Sequence, residues 1–150
     1  MATRRDGMIL DEFRVRDDRT KGEVPSYRWE RIRADIEAGL TGELDTDTKL
    51  ADRARAYATV STESFRPEVD ISVDEATDAG VITVRCADRI GRLAEVLAVI
   101  ASCGLEIHLA KLDSRSGEII DTFHVRSEQL PRDAAALNEL ARVIQSKINP

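Results

Sequence analysis

Aromatic residues make up only 4% of the 150 positions, too few to build the base-stacking platform of a single-strand nucleic-acid binder. Excess positive charge is also lacking. Twenty-two Lys and Arg face 28 Asp and Glu, a net charge of −6, which argues against binding phosphate backbones through bulk charge. Arg4-Arg5 and the scattered arginines are balanced by acids, so no nucleic-acid patch is expected. The longest run without a charge, Val96 to Leu105, is ten residues, far short of the roughly 20 that a membrane helix needs. No apolar stretch follows Met1-Ala2-Thr3-Arg4-Arg5-Asp6, so no secretory signal is expected there, and the reading is of a cytoplasmic protein. There are two cysteines, Cys86 and Cys103, with no C-x-x-C pattern, and they read as small buried residues of a reducing compartment. The two histidines, His108 and His124, lack zinc-ligand spacing, so no metal is expected. Neither a Gly-x-Gly-x-x-Gly motif nor a P-loop occurs, and no Ser/His/Asp or Cys/His arrangement is legible. No catalytic residue and no cofactor is therefore assigned.

What is present is a soluble globular mixture, 42% apolar and 33% charged. Its charge is unevenly placed. Residues 1–40 and 80–150 each carry nine bases and nine acids, whereas residues 41–79 carry four bases and ten acids, so the whole net charge lies between two balanced flanks. Such a segment reads as a connector. Leu50, Arg53, Ala54 and Tyr57 suggest that it is helical, with Asp45 or Thr46 as the cap.

The flanks are related. Residues 6–17, DGMILDEFRVRD, align with residues 116–127, SGEIIDTFHVRS, at six identities in twelve positions. In both copies a glycine turn, Gly7 or Gly117, opens an alternating strand. Ile9, Asp11, Phe13 and Val15 share one face of the first strand, and Ile119, Asp121, Phe123 and Val125 share one face of the second. Asp11 and Asp121, on these apolar faces, read as edge positions or partners of the hairpin backbone in preference to an acid/base pair. A helix follows in each copy, with Trp29, Ile32, Ile36 and Leu40 in the first and Leu137, Leu140, Ile144 and Ile148 in the second, both spaced 3, 4, 4. Pro25-Ser26 and Pro131 mark the approaches to these helices.

The second copy has more in front of it. Val69–Val73 and Val81–Cys86 read as strands, and Asp88-Arg89-Ile90-Gly91 as a turn into a helix with apolar face Leu93, Val96, Leu97, Ile100 and Ala101. Gly104 reads as a left-handed cap, and Leu105–Leu112 as a strand with Leu105, Ile107 and Leu109 on one side and His108 and Ala110 on the other. The expected fold is α+β, a ferredoxin-like βαββαβ sandwich with two helices on one face of the sheet. The first copy has no β-α-β ahead of its hairpin, so the chain reads as beginning inside a repeat. The expected organisation is a partial ββα unit at 1–40, an acidic helical connector at 41–66 and a complete unit at 67–150.

These segments resemble a known family. Residues 80–127 are similar to an ACT domain, the small regulatory module that binds amino acids. The whole chain resembles the C-terminal tandem ACT region of the bifunctional uridylyltransferase/uridylyl-removing enzymes that modify the PII nitrogen-signal protein. The carrying segments are residues 5–13, Val69–Val73, Ala87–Leu93, Cys103–Lys111 and Asp121–Val125. The resemblance implies a non-catalytic, amino-acid-sensing regulatory module of nitrogen metabolism, derived from or a fragment of such an enzyme. Glutamine is the ligand it suggests, and a homodimer through ACT sheet edges or helices the assembly. It places the ligand site where the loop Asp88, Arg89, Ile90, Gly91 and Arg92 faces the second strand of a partner ACT unit, with His108 and Ala110 as further members. The family pattern has proline at the position of Ile90 and an apolar residue at that of Arg92. The loop chemistry fits an amino acid, because a helix N-terminus offers free N–H groups to a carboxylate and Asp88 could either cap the helix or accept an ammonium. The alternative reading is a ligand-free ACT-like oligomerisation and interaction module.

Overall fold

The structure, a computed structural model, describes residues 2, 3, 9, 10, 15, 17, 20–56, 66–74, 76–115 and 117–148. They fall into two compact units. The first copy's Asp11, Phe13 and Gly7, and Tyr57 of the connector, lie outside the described residues.

The larger unit is a sheet with two helices. Its strands are β1 (Ala2–Thr3), β2 (Ile9–Leu10), β3 (Glu68–Asp74), β4 (Ala79–Ala87), β5 (Ile107–Lys111), β6 (Ser114–Arg115) and β7 (Glu118–Arg126), and its helices are α3 (Arg92–Ser102) and α4 (Ala134–Ile148). The order across the sheet is β2-β1-β5-β7-β4-β3, with β6 pairing to β7, and every pairing is antiparallel. Within it, β5-β7-β4-β3 is the four-stranded α+β sheet that the alternating segments predict. The chain order is ββαββα, not the expected βαββαβ. The position beside β4 that a final strand would take is filled from in front, by β3 in register from Glu68 opposite Arg85 to Asp74 opposite Ala79.

Alternation sorts the two faces. Val84 and Ile82 of β4, and Ile119, Phe123 and Val125 of β7, are buried with Val96 and Ile100 of α3 and Ile144 and Ile148 of α4. Val69 and Ile71 extend that core on β3, and Leu137 and Leu140 on α4, so the predicted 3-4-4 stripe is the packed face of this helix. On α3 the packed face takes in Val99, whereas Ala101 is exposed. Gly104 (φ 76°) and Gly117 (φ 81°) occupy the left-handed region at the helix end and the hairpin, as their places in the sequence require.

One strand departs from simple alternation. Between Ile107 and Leu109 the β5–β7 register shifts, so that Ile107 lies opposite Val125 and Leu109 opposite His124. The bulge at His108 reverses the faces beyond it. Ile107 and Ala110 pack on the core, while Leu109 shares the outer face with His124. The expectation that Ile107 and Leu109 share a side, with His108 and Ala110 opposite, is corrected accordingly.

The smaller unit holds α1 (Ser26–Thr41) and α2 (Thr46–Ala56). Pro25 precedes α1, and Gly42 ends it in the left-handed conformation (φ 76°). Asp45, not Thr46, caps α2, its carboxylate accepting from the N–H and hydroxyl of Thr48 at 3.0 and 2.7 Å. Asp17 is buried, accepting from the N–H of Thr20 and pairing with Arg28. Lys49 of α2 pairs with Asp35 of α1 at 2.6 Å.

Candidate functional site

The Asp88–Arg92 loop joins β4 to α3. Its first residue is fixed from both ends: the N–H of Asp88 donates to the carbonyl of Gly117 at 2.8 Å, and its carboxylate accepts from the hydroxyl of Ser114 at 2.6 Å. Asp88 therefore belongs to the β6–β7 hairpin and does not cap α3, which corrects one of its two expected roles. The cap position is Gly91 (φ 85°), which has no side chain with which to cap. A Cβ built on Gly91 would meet no atom within 4 Å, so the space over the start of the helix is open. The N–H of Arg92 donates to the carbonyl of Arg89 at 3.0 Å, which leaves the N–H groups of Leu93 and Ala94 at the positive end of the α3 dipole.

Two arginines flank this opening. Arg89, half-exposed, pairs with Glu95 at 2.9 Å. Arg92 is 8% exposed and bridges the two helices: its Nη1 donates to Glu95 at 3.0 Å and to the carbonyl of Ile148 at 2.7 Å. Its Nε is buried with no partner. Ile90 is exposed at the loop's tip.

The structure thus brings Asp88, Arg89, Ile90, Gly91 and Arg92 together and adds Glu95, Ser114 and Gly117. Within one unit it does not bring His108 or Ala110 to them. Asp88 lies beside Gly117 and His108 beside His124, seven positions further on, about 20 Å at a strand's rise. Ala110 is on the helix-covered face, and His108 on the other. The rings of His108 and His124 meet edge to face with centroids 6.3 Å apart. Nδ1 of His108 and Nε2 of His124 are buried without partners, and burial lowers the His124 pKa.

Asp121 lies behind the loop. It faces the core opposite Val84, is 3% exposed, and accepts from the N–H of Asp113 at 3.3 Å. Its reading as a partner of the hairpin backbone holds. Desolvation raises its pKa to about 6, and the neighbouring Asp88 and Asp113 push in the same direction. Cys86, on the same face of β4, is fully buried, and burial raises its pKa too. Cys103 is half-buried, and both thiols are free. Sequence reasoning missed Glu95 and Ser114; Glu95 was detectable only as an acid three residues from Arg92 on a helix. Among the described residues no group of three or more His, Cys, Asp or Glu is placed to hold a metal ion, and no helix is long and apolar enough to cross a membrane.

Comparison with known proteins agrees with this fold. Bifunctional uridylyltransferase/uridylyl-removing enzymes align along nearly the whole chain. That of Thiobacillus denitrificans is 28% identical over 147 residues, covering 95% of this chain and 17% of the relative. That of Ralstonia nicotianae is 26% identical over 148 residues, covering 97% and 17%. That of Cupriavidus pinatubonensis is 27% identical over 133 residues, covering 87% and 15%. The chain thus spans about a sixth of the length of these curated relatives. No solved structure matches it. The family model described as "plant bHLH transcription factor, ACT-like domain" matches residues 70–149, from within β3 to the end of α4. That match covers more than half of the chain, and this protein belongs to the ACT-like domain family.

Proposed function

We propose that this chain is a non-catalytic, cytoplasmic regulatory module that takes a free amino acid at the Asp88–Arg92 loop, with glutamine as the first candidate. The observation that carries the reading is the uncapped start of α3, where Gly91 leaves open space beside N–H groups that suit a carboxylate. Asp88, held on the adjacent hairpin, would face the ligand's ammonium. The relatives' name, uridylyltransferase/uridylyl-removing enzyme, supports a place in nitrogen regulation. In this reading residues 67–150 are the complete unit, 1–40 a partial one and 41–66 their connector. Binding would act by favouring one arrangement of paired units over another.

The test is thermal melting of the full chain with each of the twenty amino acids at millimolar concentration. A shift with glutamine that is lost in Asp88→Asn, which removes the charge facing the ammonium and keeps an acceptor for the Ser114 hydroxyl, supports the proposal. No shift with any amino acid sinks it. The second reading, a ligand-free assembly module, is favoured by Arg92, whose guanidinium is already committed to Glu95 and Ile148.

A further inference from the structure

The two repeat helices carry the same 3-4-4 apolar spacing and meet different fates. On α4, Ile144 and Ile148 are fully buried. On α1, Trp29 is 43% exposed, Ile36 52% and Leu40 84%, a stripe along one face that includes the chain's single tryptophan. Single exposed apolar residues need no explanation, but three in line on one helix mark a surface to be covered.

The charges on α1 say by what. Its first half carries Arg28, Arg31 and Arg33 against Glu30, and its second half carries Asp35 and Glu37 with no base. This order opposes the helix's own dipole, which favours acids at the start and bases at the end; α1 has no acid in its first turn and no base in its last. Arg33 and Glu37 lie one turn apart along the same flank of the stripe, and among the described residues neither is in an ion pair. A surface basic at one end and acidic at the other is complementary to itself reversed.

We infer that the Trp29–Ile36–Leu40 face of α1 is a self-association surface, on which a second copy of this chain lays its own α1 antiparallel. About a twofold axis near Asp35, Ile36 meets the partner's Ile36, Trp29 meets the partner's Leu40, and Arg33 stands opposite the partner's Glu37 twice over. A parallel pairing would turn the Arg33–Glu37 flank of each helix toward the partner's Ile32–Gly39 flank and set like ends of the two dipoles side by side, losing both the ion pairs and the dipole match. Each helix's acidic half then lies beside the basic half of its partner, relieving the mismatch with the dipoles. One face of a 16-residue helix is a small interface, so the dimer belongs at the weak end, with a dissociation constant on the order of 1–100 µM. The inference does not rest on amino-acid binding, and its test contains no amino acid.

The experiment is sedimentation equilibrium of the full chain from 1 to about 500 µM, alongside the emission maximum of Trp29. Dimerisation with a blue shift on concentration is expected. Arg33→Glu and Glu37→Arg should each weaken the dimer about tenfold or more, and the double reversal should restore it to within about threefold. Both are surface changes whose helicity circular dichroism will check. A monomer throughout the range overturns the inference, as does a double reversal that fails to restore. A dimer that survives Ile36→Glu also overturns it, since the α1 stripe is then not the interface.

Discussion

The guanidinium of Arg92, in the first turn of α3, donates to the carbonyl of Ile148, in the last turn of α4, at 2.7 Å across 56 residues of chain. A helix C-terminus has carbonyls without intrahelical partners and the negative end of a dipole, and a buried cation satisfies both. Arg92 thereby ties the start of the candidate loop to the end of the second helix.

Arg92→Ala should cost about 2 kcal/mol, the worth of a hydrogen bond to a charged group plus the packing of the arginine stem. Glu95→Gln should change stability by less than about 0.5 kcal/mol, because the pair is half-exposed at its acidic end. Urea unfolding followed by far-ultraviolet circular dichroism would measure both, with unchanged slope m. Equal losses in the two variants would show that the ion pair, not the helix tie, carries the effect.

Much of this arrangement was legible in the sequence. Period-2 alternation gave β4 and β7, and the 3-4-4 stripe gave α4 and its buried face, because burial on one side imposes those periods. The Asp88–Arg92 loop was legible as a turn into a helix. Other features were not, each for a physical reason. A bulge adds a residue without leaving a compositional mark, so the face reversal beyond His108 was hidden. Asp88 resembles a helix cap locally, yet its hydroxyl partner, Ser114, is 26 residues away. The stripe of α1 is as regular as that of α4, and periodicity says that a face is apolar without saying what covers it.

Asp121 sets a pH dependence. Its native pKa is raised to about 6 by burial, against about 3.9 in an unfolded chain. Between those values the folded state holds the proton more tightly, so the contribution is fully present below about pH 4 and lost as pH rises through about 6. Asp121→Asn keeps an acceptor for the Asp113 N–H and removes the charge. It should raise stability at pH 7.5 by up to about 2–3 kcal/mol, with the gain vanishing near pH 4. Melting curves of both proteins across this range would decide; a gain that is constant with pH would assign it to packing instead.

His124 acts in the opposite sense. Burial lowers its pKa, with Lys111 and His108 adding to the effect and Asp74 opposing it. As pH falls below about 6.5 the unfolded chain protonates first, so the native state loses stability until its own lower pKa is reached. His124→Gln should remove this acid-side slope. A proton NMR titration checks the cause directly: the His124 imidazole midpoint should lie below about 6.5, and a midpoint above it would overturn the assignment.

Gly80 is a packing glycine. It lies at the start of β4 opposite Val125, and a Cβ there would fall 2.4 Å from Cδ1 of Leu130 and 2.8 Å from Cγ2 of Val125. Leu130 can shift its methyl, but it is buried, and Val125 is stiff about its one side-chain torsion. Gly80→Ala should therefore destabilise by about 1–3 kcal/mol through overpacking. Leu130→Ala alone should cost about 2–5 kcal/mol by leaving a cavity. Together they should cost less than their sum by about 1 kcal/mol, since the new methyl enters the space that the leucine vacates. Chemical denaturation of the four proteins completes the cycle. Strict additivity would mean that the strand moves aside to take up the strain, and that close approach at Gly80 is not what requires glycine there.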